Sequence, residues 1–249
     1  MRQCTAEGTV DDAREANHPV SLCYALAVAA CPIMLWVGDL AAAERYIALL
    51  LALSARYALP SWGAMGRTFQ GVLAIRRGDL DPGLRQLRGD FGELGAMSTW
   101  ISMMFFSELA AGFARAGQTA DGLAAAEQAI ERAEHTKARW LLPELLRIKG
   151  ELLLLQAATA ATAAAEDHFR QALDWARRQD ALSLELRAAI SLARMLHDQS
   201  SPADAKTVLQ PVYDRFTEGF DTADLKAARA LLDVFTSDQS RLAQSSGDK

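Results

Sequence analysis

Gly38-Asp39-Leu40 returns forty positions on as Gly78-Asp79-Leu80, and weaker echoes follow at Gly117-Gln118 and Ser200-Ser201. Each lies between two stretches whose apolar residues recur at helical spacing. A helix-turn-helix unit repeated about every 34–47 residues is the signature of a helical solenoid. Solenoids mostly present binding surfaces, so this echo decides the class of function expected of the chain. It points to no reaction.

Working outward from the echo gives five helix pairs. They are expected at about 20–37 with 40–57, 61–77 with 82–95, 99–115 with 119–134, 139–156 with 162–178, and 181–198 with 202–216. A last helix over about 222–236 closes the stack. In the second helix of the first pair, Tyr46, Leu49, Leu50, Leu53 and Tyr57 form one apolar stripe. Asp81-Pro82 and Ser201-Pro202 read as a cap followed by proline in the first turn, where the missing N–H costs nothing. Ser98 or Thr99 opens the third pair. Alternating strand patterns are absent, so the chain is read as all-α.

The tetratricopeptide pattern requires small residues where two helices cross and a large residue to fill the gap. The fourth pair supplies Gly150, then Ala165-x-x-x-Phe169-x-x-Ala172. The second supplies Gly71, Gly83 and Leu87, and the fifth Leu192, Ala193, Leu196, Ala205 and Leu209. The matches are degenerate and the period is nearer 40 than 34, which describes a tetratricopeptide-like stack with long helices. The stack is placed over residues 11–236, between a disordered N-terminus (1–10) and a disordered tail (237–249).

Composition bounds the function further. Among 249 residues, 51% are hydrophobic, enough to bury a core, and the net charge is −5. That balance opposes direct nucleic-acid binding, which needs a basic face. Cys4, Cys23 and Cys31 form neither a disulfide framework nor a zinc pattern, and fit a reducing, cytoplasmic compartment. Val20–Val37 carries no charge and approaches the length of a membrane span. Acidic residues precede it and Pro32 interrupts it, so it is read as a buried helix. Gly63-x-x-Gly66-Arg67-Thr68 lacks the lysine of a phosphate loop. His18, His135, His168 and His197 have no ligand partners at metal-binding spacing. No nucleophile is placed with a base and an oxyanion site. No cofactor, metal or catalytic residue is therefore assigned.

If the stack coils, its first helices line a concave groove. The repeat pattern directs Met65, Arg76, Arg115, Glu144, Arg147, Glu151, Arg187, Arg194 and His197 towards it. Several arginines there would suit an acidic peptide or a chain-terminal carboxylate. Arg147 and Glu151 are four apart and could instead pair with each other.

The segment PVYDRFTEGFDTADLKAARALLD (211–233) is distinctive. Its Tyr213, Phe216, Thr217, Glu218, Gly219, Phe220, Asp221, Thr222, Asp224 and Leu225 resemble the C-terminal end of large bacterial signalling proteins with a predicted ATPase core. Residues 141–154, 165–196, 18–32 and 69–80 are similar to the same group, so the resemblance spans about 11–236. It implies the repeat region of a winged-helix, ATPase-type transcriptional regulator, or of a cyclase-type relative. The implied role is to sense a protein or peptide partner, or a small effector, and control the switch. DNA binding, ATP hydrolysis and cyclase activity do not transfer, because their motifs are absent from this sequence. An independent scaffold or adaptor is the alternative. The chain starts inside the repeats, which leaves the first pair uncapped and implies self-association through residues 11–37. By residue chemistry alone, Phe216 and Phe220 cap the core, Gly219 permits a turn, and Asp221 or Thr222 opens the final helix.

Overall fold

The computed structural model describes residues 2–15, 18–94, 99–156 and 159–247, and among these every regular element is helical. The all-α expectation therefore holds. The chain divides into two compact units, Met1–Gln118 and Thr119–Lys249. Ser98, one of the two residues read as opening the third pair, lies outside the described residues.

The first unit contains α1 (Arg2–Glu15), α2 (Pro19–Ala25), a wide π turn (Leu26–Ala30), α3 (Cys31–Val37), α4 (Leu40–Arg56), α5 (Pro60–Arg77), α6 (Leu80–Leu94) and α7 (Thr99–Arg115). Residues 2–10, expected to be disordered, instead form most of α1, which packs on α2 and α3 with Val10 buried. The π turn has a local cause. Pro32 has no N–H, and its ring would press on the carbonyl four residues back, so the preceding turn widens. The Cys31 N–H accordingly donates to the Leu26 carbonyl, five residues back. Pro19–Val37 is long and apolar enough to cross a membrane, but half of that stretch is buried inside the fold.

The echoed tripeptides form the turns as expected. Gly38 and Gly78 adopt φ of 85° and 100°, a left-handed conformation that other residues reach only with strain. The Asp39 carboxylate accepts from the Ala42 N–H at 2.9 Å and caps α4. Helix α6 starts at Leu80, so Asp81 and Pro82 lie inside its first turn rather than at its cap. In α4 the buried face is Ala42, Ala43, Ile47, Leu50 and Ser54. The expected stripe is thus rotated: Leu50 is central, whereas Tyr57 is 43% exposed. The same left-handed conformation recurs at Gly117 and Gly219, and at four residues other than glycine: Ala58, Lys137, Asp180 and Ser200. Each sits in a turn between consecutive helices.

Close approach of α5 and α6 rests on paired glycines. A Cβ at Gly83 would lie 2.8 Å from the Gly71 carbonyl oxygen. Phe69 of α5 meets Phe105 of α7 edge to face, ring centres 5.1 Å apart. Cys23 and Cys31 are fully buried, and burial pushes both thiols up. Neither thiolate is populated nor reachable in the native state. In a Cys4→Ser variant, Ellman's reagent is therefore expected to label no thiol until denaturant is added, and then both.

The second unit contains α8 (Thr119–Thr136), a 3₁₀ turn (Arg139–Leu141), α9 (Leu142–Leu154), α10 (Thr159–Arg178), α11 (Leu182–Asp198), α12 (Pro202–Tyr213) and α13 (Ala223–Gly247). Each helix packs on the next, and α11 also packs on both α9 and α13. Ala165, Phe169, Ala172, Ala193, Ala205 and Leu209 have no exposed surface, as the repeat pattern requires. Pro202 opens α12 as expected, and Ser201 takes the position before it but makes no side-chain capping bond. Gly219 turns the chain before α13, and Thr222 directly precedes that helix. Phe216 packs on the core, but Phe220 lies 48% exposed beside Tyr213 and does not cap it. Helix α13 runs past residue 236 to Gly247.

A half-buried histidine of this unit gives it a pH-dependent element. The His168 Nδ1 has no hydrogen bond among the described residues. Glu127 of α8 and Lys149 of α9 pair nearby at 3.2 Å. Burial, then the charge of Lys149, push the His168 pKa down, while Asp167 and Glu127 oppose them. A depressed folded pKa means that neutral His168 is favoured by folding. Its contribution is complete above the ordinary histidine value and is lost as pH falls through the folded one. From about pH 7 to 5 the wild type should lose stability more steeply than a His168→Leu variant in urea melts. Equal slopes would contradict this.

Candidate functional site

Glu144, Arg147 and Glu151 are spaced three and four apart on α9, so one helix face carries all three. Arg187 and Ser191 share a face of α11, and Asp224 lies in the first turn of α13. Packing of α9 on α11 and α11 on α13 brings these residues into one network.

Its centre is Glu144. Arg147 donates to it through Nε at 2.9 Å and Nη2 at 2.8 Å, a fork-to-fork pair. Arg187 Nη1 donates to the same carboxylate at 3.2 Å, while its Nε reaches Asp224 at 2.7 Å. Arg147 Nη1 also meets Glu151, and the Ser191 hydroxyl donates to Glu151 at 2.8 Å. Burial alone would lower the Arg147 pKa. Attraction to Glu144 and Glu151, with their hydrogen bonds, outweighs it and holds the guanidinium above its ordinary value.

Exposure decides what this face offers a partner. The side chains of Glu144, Arg147 and Arg187 are 8%, 14% and 11% exposed, against 38% for Glu151 and 36% for Asp224. Three carboxylates face two guanidiniums, and the outermost groups are the acids. The expectation of arginines open to an acidic peptide is corrected here: Arg147 and Arg187 are already engaged within the fold. Arg194 is exposed, one turn beyond Ser191. His197 sits in the last turn of α11, with Nε2 2.9 Å from an Asp238 oxygen and its ring 5.1 Å from that of Phe235.

The remaining groove candidates belong to the first unit. Met65 is 1% exposed and is a core residue, not a groove residue. Arg76 of α5 donates through Nε to Glu108 of α7 at 2.9 Å. Arg115 of α7 donates to the Ile75 carbonyl at 2.6 Å. Both arginines therefore tie α5 to α7.

A second constellation escaped the sequence reading. Glu185 opens α11 with its side chain only 3% exposed, and accepts from Arg177 Nε at 2.9 Å and Arg215 Nη1 at 2.5 Å. A basic residue closing α10 and an acid in the first turn of α11 were the available signal. Beside this bridge a cleft of about 460 Å³ opens between α10 and α12, floored by α11.

No known family model matches the chain, and no curated protein is significantly similar to it.

Proposed function

We propose that this chain is a tetratricopeptide-like interaction module that binds a protein or peptide partner and performs no catalysis itself. The observation that carries the reading is the stacking of like helices. In the second unit α9 packs on α11 and α11 on α13, as the first helices of consecutive repeats do. In the first unit α5 packs on α7 in the same sense. The turn echo at residues 38, 78, 117 and 200 supports the same repeat. The partner-facing surface is the charged row on the first helices, and its half-exposed Glu151 and Asp224 favour a partner that presents basic groups. The resemblance of residues 211–233 favours a cytoplasmic bacterial regulator of the ATPase type as the setting, with an independent scaffold as the alternative. Self-association would use the first unit, where Val20 and Tyr24 are 42% and 58% exposed.

A photoreactive amino acid placed at Arg194, on the first-helix surface, tests the reading in the native host. The expected result is one discrete protein adduct, weakened by Glu151→Gln with Asp224→Asn and absent when the probe sits at Asp214. A partner with winged-helix and phosphate-loop motifs supports the regulator setting, and any other discrete partner supports the scaffold. No adduct, or equal adducts from both positions, rejects the module. Nucleotide turnover by the purified chain would reject the non-catalytic role.

A further inference from the structure

One face of the first unit keeps apolar side chains in solvent. Val20 and Tyr24 lie four apart on α2, so they share a helix face, and they are 42% and 58% exposed. The Tyr24 ring meets that of Trp62, in the first turn of α5, edge to face at 6.3 Å. Tyr57, at the turn that leads from α4 into α5, is 43% exposed. Among the described residues of this unit, Val20, Tyr24 and Tyr57 are the exposed large hydrophobic side chains. Tyrosine and tryptophan grouped on a surface are the residues that anchor protein interfaces.

The two ends of this row carry opposite charge. Glu15 closes α1, three residues before the His18 cap of α2, and is exposed at the Val20 end. Arg56 lies at the other end, its guanidinium 5.3 Å from the Tyr57 ring centre. Among the described residues, no cation pairs with Glu15 and no carboxylate pairs with Arg56. A face with an acid at one end and a base at the other complements itself when turned by half a rotation. That is the requirement of a two-fold contact, in which each unlike pair forms twice.

We propose that this face joins two copies of the chain in an antiparallel, two-fold contact. Val20, Tyr24 and Trp62 form its apolar centre, and Glu15 of each copy meets Arg56 of the other. The contact rests on the self-association proposed for the first unit and names its face, its symmetry and its ion pairs. None of its residues belongs to the second unit.

Sedimentation velocity of the full chain in reducing buffer, from about 1 to 100 µM, tests the contact. A dimer that builds with concentration is expected. Glu15→Arg and Arg56→Glu should each weaken it at least about tenfold, because each sets two like-charge pairs across the contact. An equimolar mixture of these two variants should recover it, since their heterodimer again holds two unlike pairs. Tyr24→Lys should stay monomeric with its helical signal retained. A monomeric wild type, wild-type dimerisation by Tyr24→Lys, or no recovery in the mixture would each overturn the proposal. Adducts from Arg194 should persist in Tyr24→Lys, so loss of the dimer is distinguishable from loss of the partner surface.

Discussion

Replacing Glu144 with alanine is expected to cost the fold roughly 3–5 kcal/mol, the loss typical of breaking a buried ion pair from one side. The reason is what remains. Arg147 and Arg187 would keep their charges at 14% and 11% side-chain exposure, without the carboxylate both of them bind. Glu151 and Asp224 can retain one arginine each, but neither can take the central position. Glu144→Gln should fall between wild type and alanine, because an amide oxygen still accepts hydrogen bonds but carries no charge. A third variant separates the cost of an orphaned charge from the worth of the network. Replacing Glu144, Arg147 and Arg187 together by Met, Leu and Leu leaves only Glu151 and Asp224, which are more than a third exposed and can hydrate. That variant should recover much of the loss, since buried ion sets are often replaceable by apolar groups of similar volume. Urea midpoints read by circular dichroism measure all three. A Glu144→Ala midpoint equal to wild type would show that the network carries no structural weight.

Phe169→Ala is the second large loss, about 3–5 kcal/mol for a buried phenylalanine. Phe169 has no exposed surface and fills the space left by Gly150 where α9 crosses α10. A Cβ at Gly150 would lie 2.6 Å from the Phe169 ring. The two positions are therefore one packing decision. Gly150→Ala alone should destabilise, despite alanine's better helix propensity, because the ring must move. Combined with Phe169→Leu, it should cost clearly less than the sum of the single changes, the mark of residues in direct contact. Additive effects in this double-mutant cycle would mean that the crossing is set elsewhere.

These two sites differ in how readable they were. Gly150 and Phe169 follow from spacing, because helical period and residue size together define a crossing. The helix limits were legible for the same reason: α5, α7 and α11 fall within a residue or two of their expected bounds. The partners of the charged residues were less legible. Arg187 meets Asp224 across 37 positions and Arg76 meets Glu108 across 32, and no local pattern announces such partners. An arginine on a helix face looks the same in sequence whether it waits for a ligand or is already bound. Met65 and Tyr57 exchanged their expected environments because a helix face is about 100° wide, and a small rotation moves residues at its margin. The π turn ahead of Pro32 shows the converse, since the proline was visible but its remedy in backbone geometry was not.

The left-handed turn residues carry a consequence for engineering. At Ala58, Lys137, Asp180 and Ser200 the chain holds a side chain in a backbone region that glycine enters without strain. Such a conformation costs an L-residue about 1–2 kcal/mol, part of which glycine returns in unfolded-chain entropy. Ala58, Lys137 and Ser200 lie in separate turns and share no partners in their strain. Glycine at each would raise the melting temperature in small, nearly additive steps. The turns thus mark thermostabilising positions by their dihedral angles, where residue identity does not.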